Sequence, residues 1–313
     1  MKTTFLVLGG YGFLGTNIIK YIDKHMKDDV QVIVFDKFES HPAGVGFESI
    51  CRSYAGDFSD EALITRIFDE NAIDMVLHCI STTVPATSFN AKFDIESNLI
   101  PTVSLLDAMI SHKVFDIVYL SSGGAIYGST SVRPHKETDD VFPKSSYGVV
   151  KLAIEKYMMQ YAELYGLRPL VLRLSNPYGP WHYSMKQGIC NIAVADALAG
   201  RKFTVWGDGN GSKDYIFVED FVKILFILLR NKVNNEVINV ASGEHWSVNG
   251  ILNVVKSIRP GFSWEYVDAS MLDVARFELN TERLKSLVGN YCFTSLEDGV
   301  KLTFEWAEKG CCD

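Results

Sequence analysis

Short, continuously apolar runs alternate with helical patterns through the first half of the chain. Thr3–Leu8 reads as a strand, Gly12–Lys24 as a helix, Gln31–Phe35 as a second strand and Arg52–Ala55 as a shorter third one. Asp60–Glu70 follows as a helix and Asp74–His78 as a strand. Phe93–His112 is helical, with Pro101 tolerable only at a kink or in a first turn. Phe115–Ser121, Ser146–Tyr165 and Arg168–Leu174 complete the series as strand, helix and strand. Strands that are apolar at every position are buried on both faces, which predicts a parallel sheet covered by helices on each side. Right-handed crossovers make this a doubly wound α/β sheet, and ligands of such sheets bind beyond the carboxyl ends of the strands.

After Leu174 the pattern breaks up. Asn176-Pro177-Tyr178-Gly179-Pro180 and Gly207-Asp208-Gly209-Asn210-Gly211 have the composition of loops, and shorter mixed elements run to the end. The change predicts a second, smaller mixed α/β domain built around the carboxyl edge of the sheet. One helix carries a further expectation. Val149, Val150, Ile154, Tyr157, Tyr161 and Leu164 are among the residues that put apolar groups almost all round Ser146–Tyr165. A helix apolar on every side must be covered on every side. One face packs on the sheet; the other, with Phe93–His112, is expected to meet a second copy in a two-fold four-helix bundle. Burial under the second domain is the alternative.

Composition narrows the class. The 313 residues, 47% of them hydrophobic, suffice for one large core or for a domain with a smaller partner. A net charge of -8 argues against a nucleic-acid partner, because phosphate backbones reward clustered Lys and Arg. The first apolar stretch, Phe5–Leu8, is too short for a signal-peptide core or a membrane span. The six cysteines, Cys51, Cys79, Cys190, Cys292, Cys311 and Cys312, show no metal-binding spacing. A cytoplasmic protein with reduced thiols and no metal site is expected.

Two constellations carry chemistry. Gly9-Gly10-Tyr11-Gly12-Phe13-Leu14-Gly15 directly follows a strand and opens a helix, the context in which a glycine triplet binds a dinucleotide. Gly9 permits the turn, Gly12 lets the backbone approach a pyrophosphate, and Gly15 lets the helix pack on the strand. The helix amino end then favours the phosphates. Asp36 ends the second strand twenty-one residues after Gly15, where a carboxylate can accept both ribose hydroxyls of NAD and repel a 2′-phosphate. Lys37 beside it leaves NADP open. The second constellation is Tyr147-Gly148-Val149-Val150-Lys151, with Ser122 at the end of a strand. Tyr and Lys four apart share one helix face. An ammonium one turn away, and the cationic ring of NAD, would favour the phenolate, so Tyr147 is the candidate base. Ser122 could hydrogen-bond the substrate oxygen.

Taken together, these motifs resemble those of the extended short-chain dehydrogenase/reductases, in particular the nucleotide-sugar epimerase/dehydratase family. The resemblance covers nearly the whole chain. It includes Gly56-Asp57-Phe58, Ser121-Ser122-Gly123-Gly124-Ala125-Ile126-Tyr127-Gly128, Arg173–Pro180 and Asp214–Asp220. It implies a Rossmann-type dinucleotide domain over 1–175 and 217–242 and a nucleotide-sugar domain over 176–216 and 243–313. It implies cofactor contacts from Phe13, Leu14, Asp57, Phe58, Cys79, Ile80, Ser81, Asn98 and Leu174, beside those of Tyr147 and Lys151. On the substrate side it implies Asn176, Asn191 and the loop at Val205 and Trp206; locally that pair reads equally well as core.

Two departures follow from the same resemblance. Lys213 stands where family members carry an arginine, and a lysine lacks the bidentate fork that suits a diphosphate. A second arginine, usual near Asp273, has Arg276 as its nearest candidate. The expected function is NAD-dependent 4-epimerisation of a nucleotide-activated hexose. Dehydratases of the family place Asp-Glu after the serine or threonine; this chain has Gly123-Gly124, so elimination lacks its acid. A 4-keto-reductase making a deoxysugar nucleotide is the alternative, and a non-catalytic dinucleotide sensor the remaining one. His78, at the end of the fourth strand, reads as a core histidine under the cofactor in preference to a catalytic one.

Overall fold

The computed structural model describes residues 2–128, 133–185, 187–268 and 276–310, with the side chains of Ala86, Arg276 and Gly310 left out. The chain begins β1 (Thr3–Leu8), α1 (Phe13–His25), β2 (Val30–Asp36), β3 (Ile50–Ala55), α2 (Glu61–Glu70) and β4 (Met75–His78). A 3-10 turn at Pro85–Thr87 leads to α3 (Ala91–Asp94), a π-helical turn (Ile95–Leu99) and α4 (Ile100–Ser111). Next come β5 (Asp116–Ser122), α5 (Gly123–Ile126), α6 (Ser146–Tyr165), β6 (Arg168–Leu174), β7 (Asn176–Tyr178), α7 (Ile189–Leu198), β8 (Phe203–Trp206) and β9 (Ser212–Phe217). The rest is α8 (Val218–Arg230), β10 (Glu236–Val240), β11 (His245–Ser247), α9 (Val248–Ile258), β12 (Trp264–Val267), β13 (Arg276–Phe277), α10 (Glu282–Val288) and α11 (Leu296–Gly310).

Seven strands make one sheet in the order β10-β6-β5-β4-β1-β2-β3. The pairs β2 with β3, β1 with β2, β1 with β4 and β4 with β5 are parallel, as the unbroken apolar runs require. The chain order reverses between β1 and β4, and that is where a doubly wound sheet opens a crevice. Leu8 pairs with Phe35 on one side and His78 on the other, and His78 with Tyr119. This register brings Gly9, Asp36, Cys79 and Ser122 off one edge. Val150, Ile154, Met158 and Tyr161 of α6 share a core with Leu105, Leu106 and Met109 of α4 and with the sheet.

Two local expectations are revised. The Phe93–His112 helix is present but divided, with a π-helical turn at Ile95–Leu99. Pro101 falls in the first turn of α4, where its missing N–H costs little. Asn176–Tyr178, expected as loop, forms β7 and pairs in parallel with Tyr215–Phe217. Its backbone partners come from a distant strand, which local composition cannot report, and an edge position tolerates Pro177.

Contacts divide the chain into two compact units. The first comprises Met1–Ile126, Pro143–Arg173 and Leu229–Ile238; the second comprises Tyr127–Phe142, Leu174–Leu228 and Asn239–Asp313. Within the second, β11, β9 and β13 form a sheet with β7 on β9, β12 pairs with β8, and Tyr178, Phe203, Phe217, Phe262 and Phe304 build a separate core. Among the described residues no helix is long and apolar enough to cross a membrane, and no group of His, Cys, Asp and Glu could hold a metal.

Candidate active site

Helix α6 is capped by Ser145, whose hydroxyl accepts the N–H of Gly148, and it ends at Gly166 in the left-handed region. Tyr147 and Lys151 therefore stand one turn apart, as the spacing predicts. Gly148 is the close-approach residue between them: a Cβ there would come within 2.4 Å of the carbonyl oxygen of Ala125 in α5. Only glycine lets the helix lie this near the end of β5. The side chains of Ser122 and Ser81 both act on the Tyr147 hydroxyl, and each favours its ionised form.

Burial dominates the electrostatics of the pair. Burial pushes the Tyr147 phenol up to about 12, although the contacts from Ser122 and Ser81 pull the other way. The lysine is buried too, and loss of solvation brings its ammonium down to about 8 against the attraction of Glu155. Lys151 Nζ donates to the carbonyl of Leu120 at 2.8 Å and lies 5.7 Å from the Tyr147 ring. Within the protein, then, desolvation of the phenolate outweighs the two serine contacts.

Around this pair sit groups that burial keeps neutral. His78 falls to about 3 and the Cys79 thiol rises to about 12. His78 lies between the rings of Phe58 and Tyr119 with Nε2 on Thr102 Oγ1 at 3.0 Å, as a core histidine would. One turn beyond Lys151, Glu155 holds Arg173 Nη2 at 2.8 Å and accepts from Ser121 Oγ at 2.5 Å, all buried. Sequence reasoning did not single out this pair; the Tyr147, Lys151, Glu155 spacing of four was its available sign.

The glycine loop has the shape of a cradle. Gly9 has φ +77°, a conformation few side chains adopt. A Cβ on Gly15 would meet Gly9 O at 2.2 Å and Gly10 Cα at 2.7 Å, both backbone atoms. Gly12 is the N-cap of α1, with no side chain capping the helix. Asp36 Oδ2 accepts the N–H of Tyr11 at 3.0 Å, which ties its carboxylate to the loop. A pyrophosphate on the helix end and a ribose on Asp36 fit these residues. Phe13 and Leu14 open α1 half-buried, and Lys37 is exposed.

Other residues singled out in the sequence have local employment. Asn98 accepts the Thr82 N–H at 2.9 Å and donates to Thr82 Oγ1 at 2.6 Å, so it shapes the loop after β4. Asp57 is turned onto Ser59, and its carboxyl lies below the usual range for that reason. The Phe58 ring is packed in the core against Phe35 and His78, which leaves little of it for a ligand. Ile80 is half-buried, next to Cys79.

In the second unit, Leu174 is buried in β6. Asn176 donates to the Asp214 carbonyl at 2.8 Å. Asn191 spends its amide on Gly179, accepting the N–H at 3.0 Å and donating to the carbonyl at 2.7 Å. A cavity of about 260 Å³ is lined by Phe203, Val205, Trp206, Lys213 and Tyr215. Val205 is buried and Trp206 is 61% exposed, and both line this cavity. Arg276 pairs with Ser212 through its backbone, and its side chain lies outside the described residues, as does Asp273.

Known proteins resemble this chain in sequence and in fold. The profile of the NAD dependent epimerase/dehydratase family matches residues 5–241. A putative UDP-glucose 4-epimerase of Methanocaldococcus jannaschii is 29% identical over 305 residues, 96% of this chain and 97% of that one. The crystal structure of UDP-glucose 4-epimerase with UDP-glucose from Thermotoga maritima superposes with a TM-score of 0.91 at 30% identity, covering 98% of this chain and 99% of that one. The UDP-glucose 4-epimerase of Thermus thermophilus, in complex with NAD, does so with a TM-score of 0.87 at 26% identity over 98% and 99%. dTDP-glucose 4,6-dehydratases are also among the relatives.

Proposed function

On the premise that this chain belongs to the NAD dependent epimerase/dehydratase family, we propose that it interconverts the C4 epimers of a nucleotide-activated hexose of the UDP-glucose/UDP-galactose type. The observation that carries the reading is the meeting of Ser122 and Tyr147 with Gly123 and Gly124 directly behind the serine. Removing a proton from a sugar hydroxyl needs the first two. Eliminating a hydroxyl needs an acid, and α5 opens with two glycines that offer none.

NAD, when bound, supplies a reversible hydride acceptor. Gly9, Gly12 and Gly15 would hold its pyrophosphate, Asp36 its ribose, and Tyr147 with Lys151 its reactive end. Ser122 Oγ orients the 4-hydroxyl of the sugar, and Tyr147 Oη takes the proton from it and later returns it. A phenol near 12, with the Ser122 and Ser81 contacts already counted, leaves the phenolate roughly 7 kcal/mol uphill at pH 7, so further stabilisation has to come from the charge of Lys151 and of the bound cofactor. The residues end as they began, as a redox-neutral isomerisation requires. The 260 Å³ cavity at Trp206 and Lys213 supports placing the nucleotide in residues 176–216 and 243–313, with 1–175 and 217–242 holding the dinucleotide.

Two further parts of the reading concern assembly and compartment. Val149, Tyr157, Leu164 and Tyr165 of α6 and Phe93, Ile95 and Ile100 before it are exposed, which supports a homodimer through these helices. Light scattering that gives a monomer at micromolar concentration removes it. Free thiols at Cys51, Cys79, Cys190 and Cys292 support a cytoplasmic setting.

The test is the purified protein given UDP-glucose, UDP-N-acetylglucosamine and a dTDP-4-keto sugar in parallel. Conversion of a UDP-sugar to its C4 epimer, with NAD retained through dialysis and no net absorbance change at 340 nm, is the expected result. Consumption of added NADPH by the keto sugar alone favours the reductase, and retained NAD without turnover favours a sensor. Tyr147→Phe should abolish turnover with NAD content intact; more than a tenth of the parent rate puts the base elsewhere.

A further inference from the structure

The first turn of an α-helix leaves its N–H groups without partners inside the helix. In α6 the Gly148 N–H goes to the Ser145 hydroxyl and the Val149 N–H to the Ser145 carbonyl. The N–H of Tyr147 is bonded by a distant segment instead. Ser88 Oγ accepts it at 2.8 Å across 59 residues. The single Ser88 proton is given to Asp94 Oδ2 at 2.5 Å. Asp94 is 1% exposed, and its Oδ1 has no hydrogen-bond partner among the described residues.

We propose that Asp94, acting through Ser88, is a positioning residue for Tyr147. A serine hydroxyl can rotate and can point its proton either way. By taking that proton, the buried carboxylate fixes the rotor and turns a lone pair toward the Tyr147 amide.

The segment acts on the tyrosine at a second point, because Ser81 influences its hydroxyl while Ser88, seven residues on, accepts its amide N–H. Backbone and phenol oxygen are thereby held against one loop. The geometry needed for proton transfer to and from a sugar oxygen is met only if that oxygen stays beside Ser122.

The inference rests on Tyr147 being the proton acceptor. Its test uses the purified, NAD-loaded protein with Ser88→Ala, Ser88→Thr, Asp94→Leu and Asp94→Asn. Ser88→Ala and Asp94→Leu should lower kcat by about tenfold to a hundredfold with KM and bound NAD within about twofold. They should also move the acid limb of the rate profile to higher pH, since a phenol that drifts from Ser122 and Ser81 loses the contacts that ease its ionisation. Ser88→Thr keeps a hydroxyl and Asp94→Asn keeps an acceptor for the serine proton, so both should restore most of the rate and the parent profile.

The other titratable groups lining the same small cavity are His78, Tyr119 and Lys151, and all are unchanged in these variants. In the Ser88 variants, which keep Asp94 as well, the profile therefore reports on the tyrosine. A loss of kcat that follows a lowered melting temperature with an unmoved profile would make the contact merely structural and overturn the proposal. So would a Ser88→Ala enzyme within twofold of the parent. Ultraviolet titration of the phenol, read as the difference from Tyr147→Phe, needs no substrate. If no nucleotide sugar is turned over but this titration still shifts in Ser88→Ala, the functional reading fails and the positioning role stands.

Discussion

Lys151→Met separates the energetic cost of the lysine from its use. The side chain is 6% exposed, and burial lowers its ammonium from the ordinary 10.5 to about 8. At about 1.4 kcal/mol per pH unit, keeping the charge in place below pH 8 costs the fold roughly 3 kcal/mol. The unfolded chain holds the same proton up to 10.5. Between those two values the unfolded state binds more protons, so stability rises with pH.

Methionine has similar reach and no charge, and its stability should lack this rise. The parent should gain about 2.5 kcal/mol over Lys151→Met between pH 7 and pH 10. The assay is urea unfolding of both proteins without added NAD at each pH, because other titrating groups cancel in the difference. A difference constant to within about 0.5 kcal/mol, or one moving in favour of methionine, refutes the argument that the lysine is held charged against desolvation. At pH 7 the same variant should turn over about a hundredfold to ten-thousandfold more slowly, having lost the charge that favours the phenolate.

The glycine loop and its surroundings yield further expectations. Gly15→Ala places a methyl 2.2 Å from a backbone oxygen, and should cost about 1–3 kcal/mol of stability and weaken NAD binding, read by melting with and without NAD. Normal melting and NAD affinity in that variant would mean that helix and strand can part there freely. Asp36→Ala should raise NADP affinity relative to NAD by about tenfold, or roughly 1.4 kcal/mol, in a fluorescence titration; an unchanged ratio places the ribose elsewhere. Glu155→Ala leaves the Arg173 guanidinium buried without its carboxylate and should destabilise by about 3–5 kcal/mol. The double replacement by methionine should recover most of that, and additive losses in urea unfolding would contradict it.

The sequence by itself determined the strands up to Leu174, the glycine turn and the Tyr147–Lys151 spacing, because these are local. A strand buried on both faces is apolar along its middle, and Thr3–Leu8 and Arg168–Leu174 were legible through their runs Phe5–Leu8 and Leu170–Leu172. Likewise Ser145 and Gly166 bound α6 by chemistry that is complete within one turn. What only the tertiary structure decided is where distant segments meet. It put Ser81 and Ser88 on the tyrosine, gave Asn98 to Thr82 and Asn191 to Gly179, and made a strand of Asn176–Tyr178. It also decided the tyrosine's acidity, since the cost of a buried phenolate depends on how much water surrounding chains exclude, a quantity no spacing of residues contains.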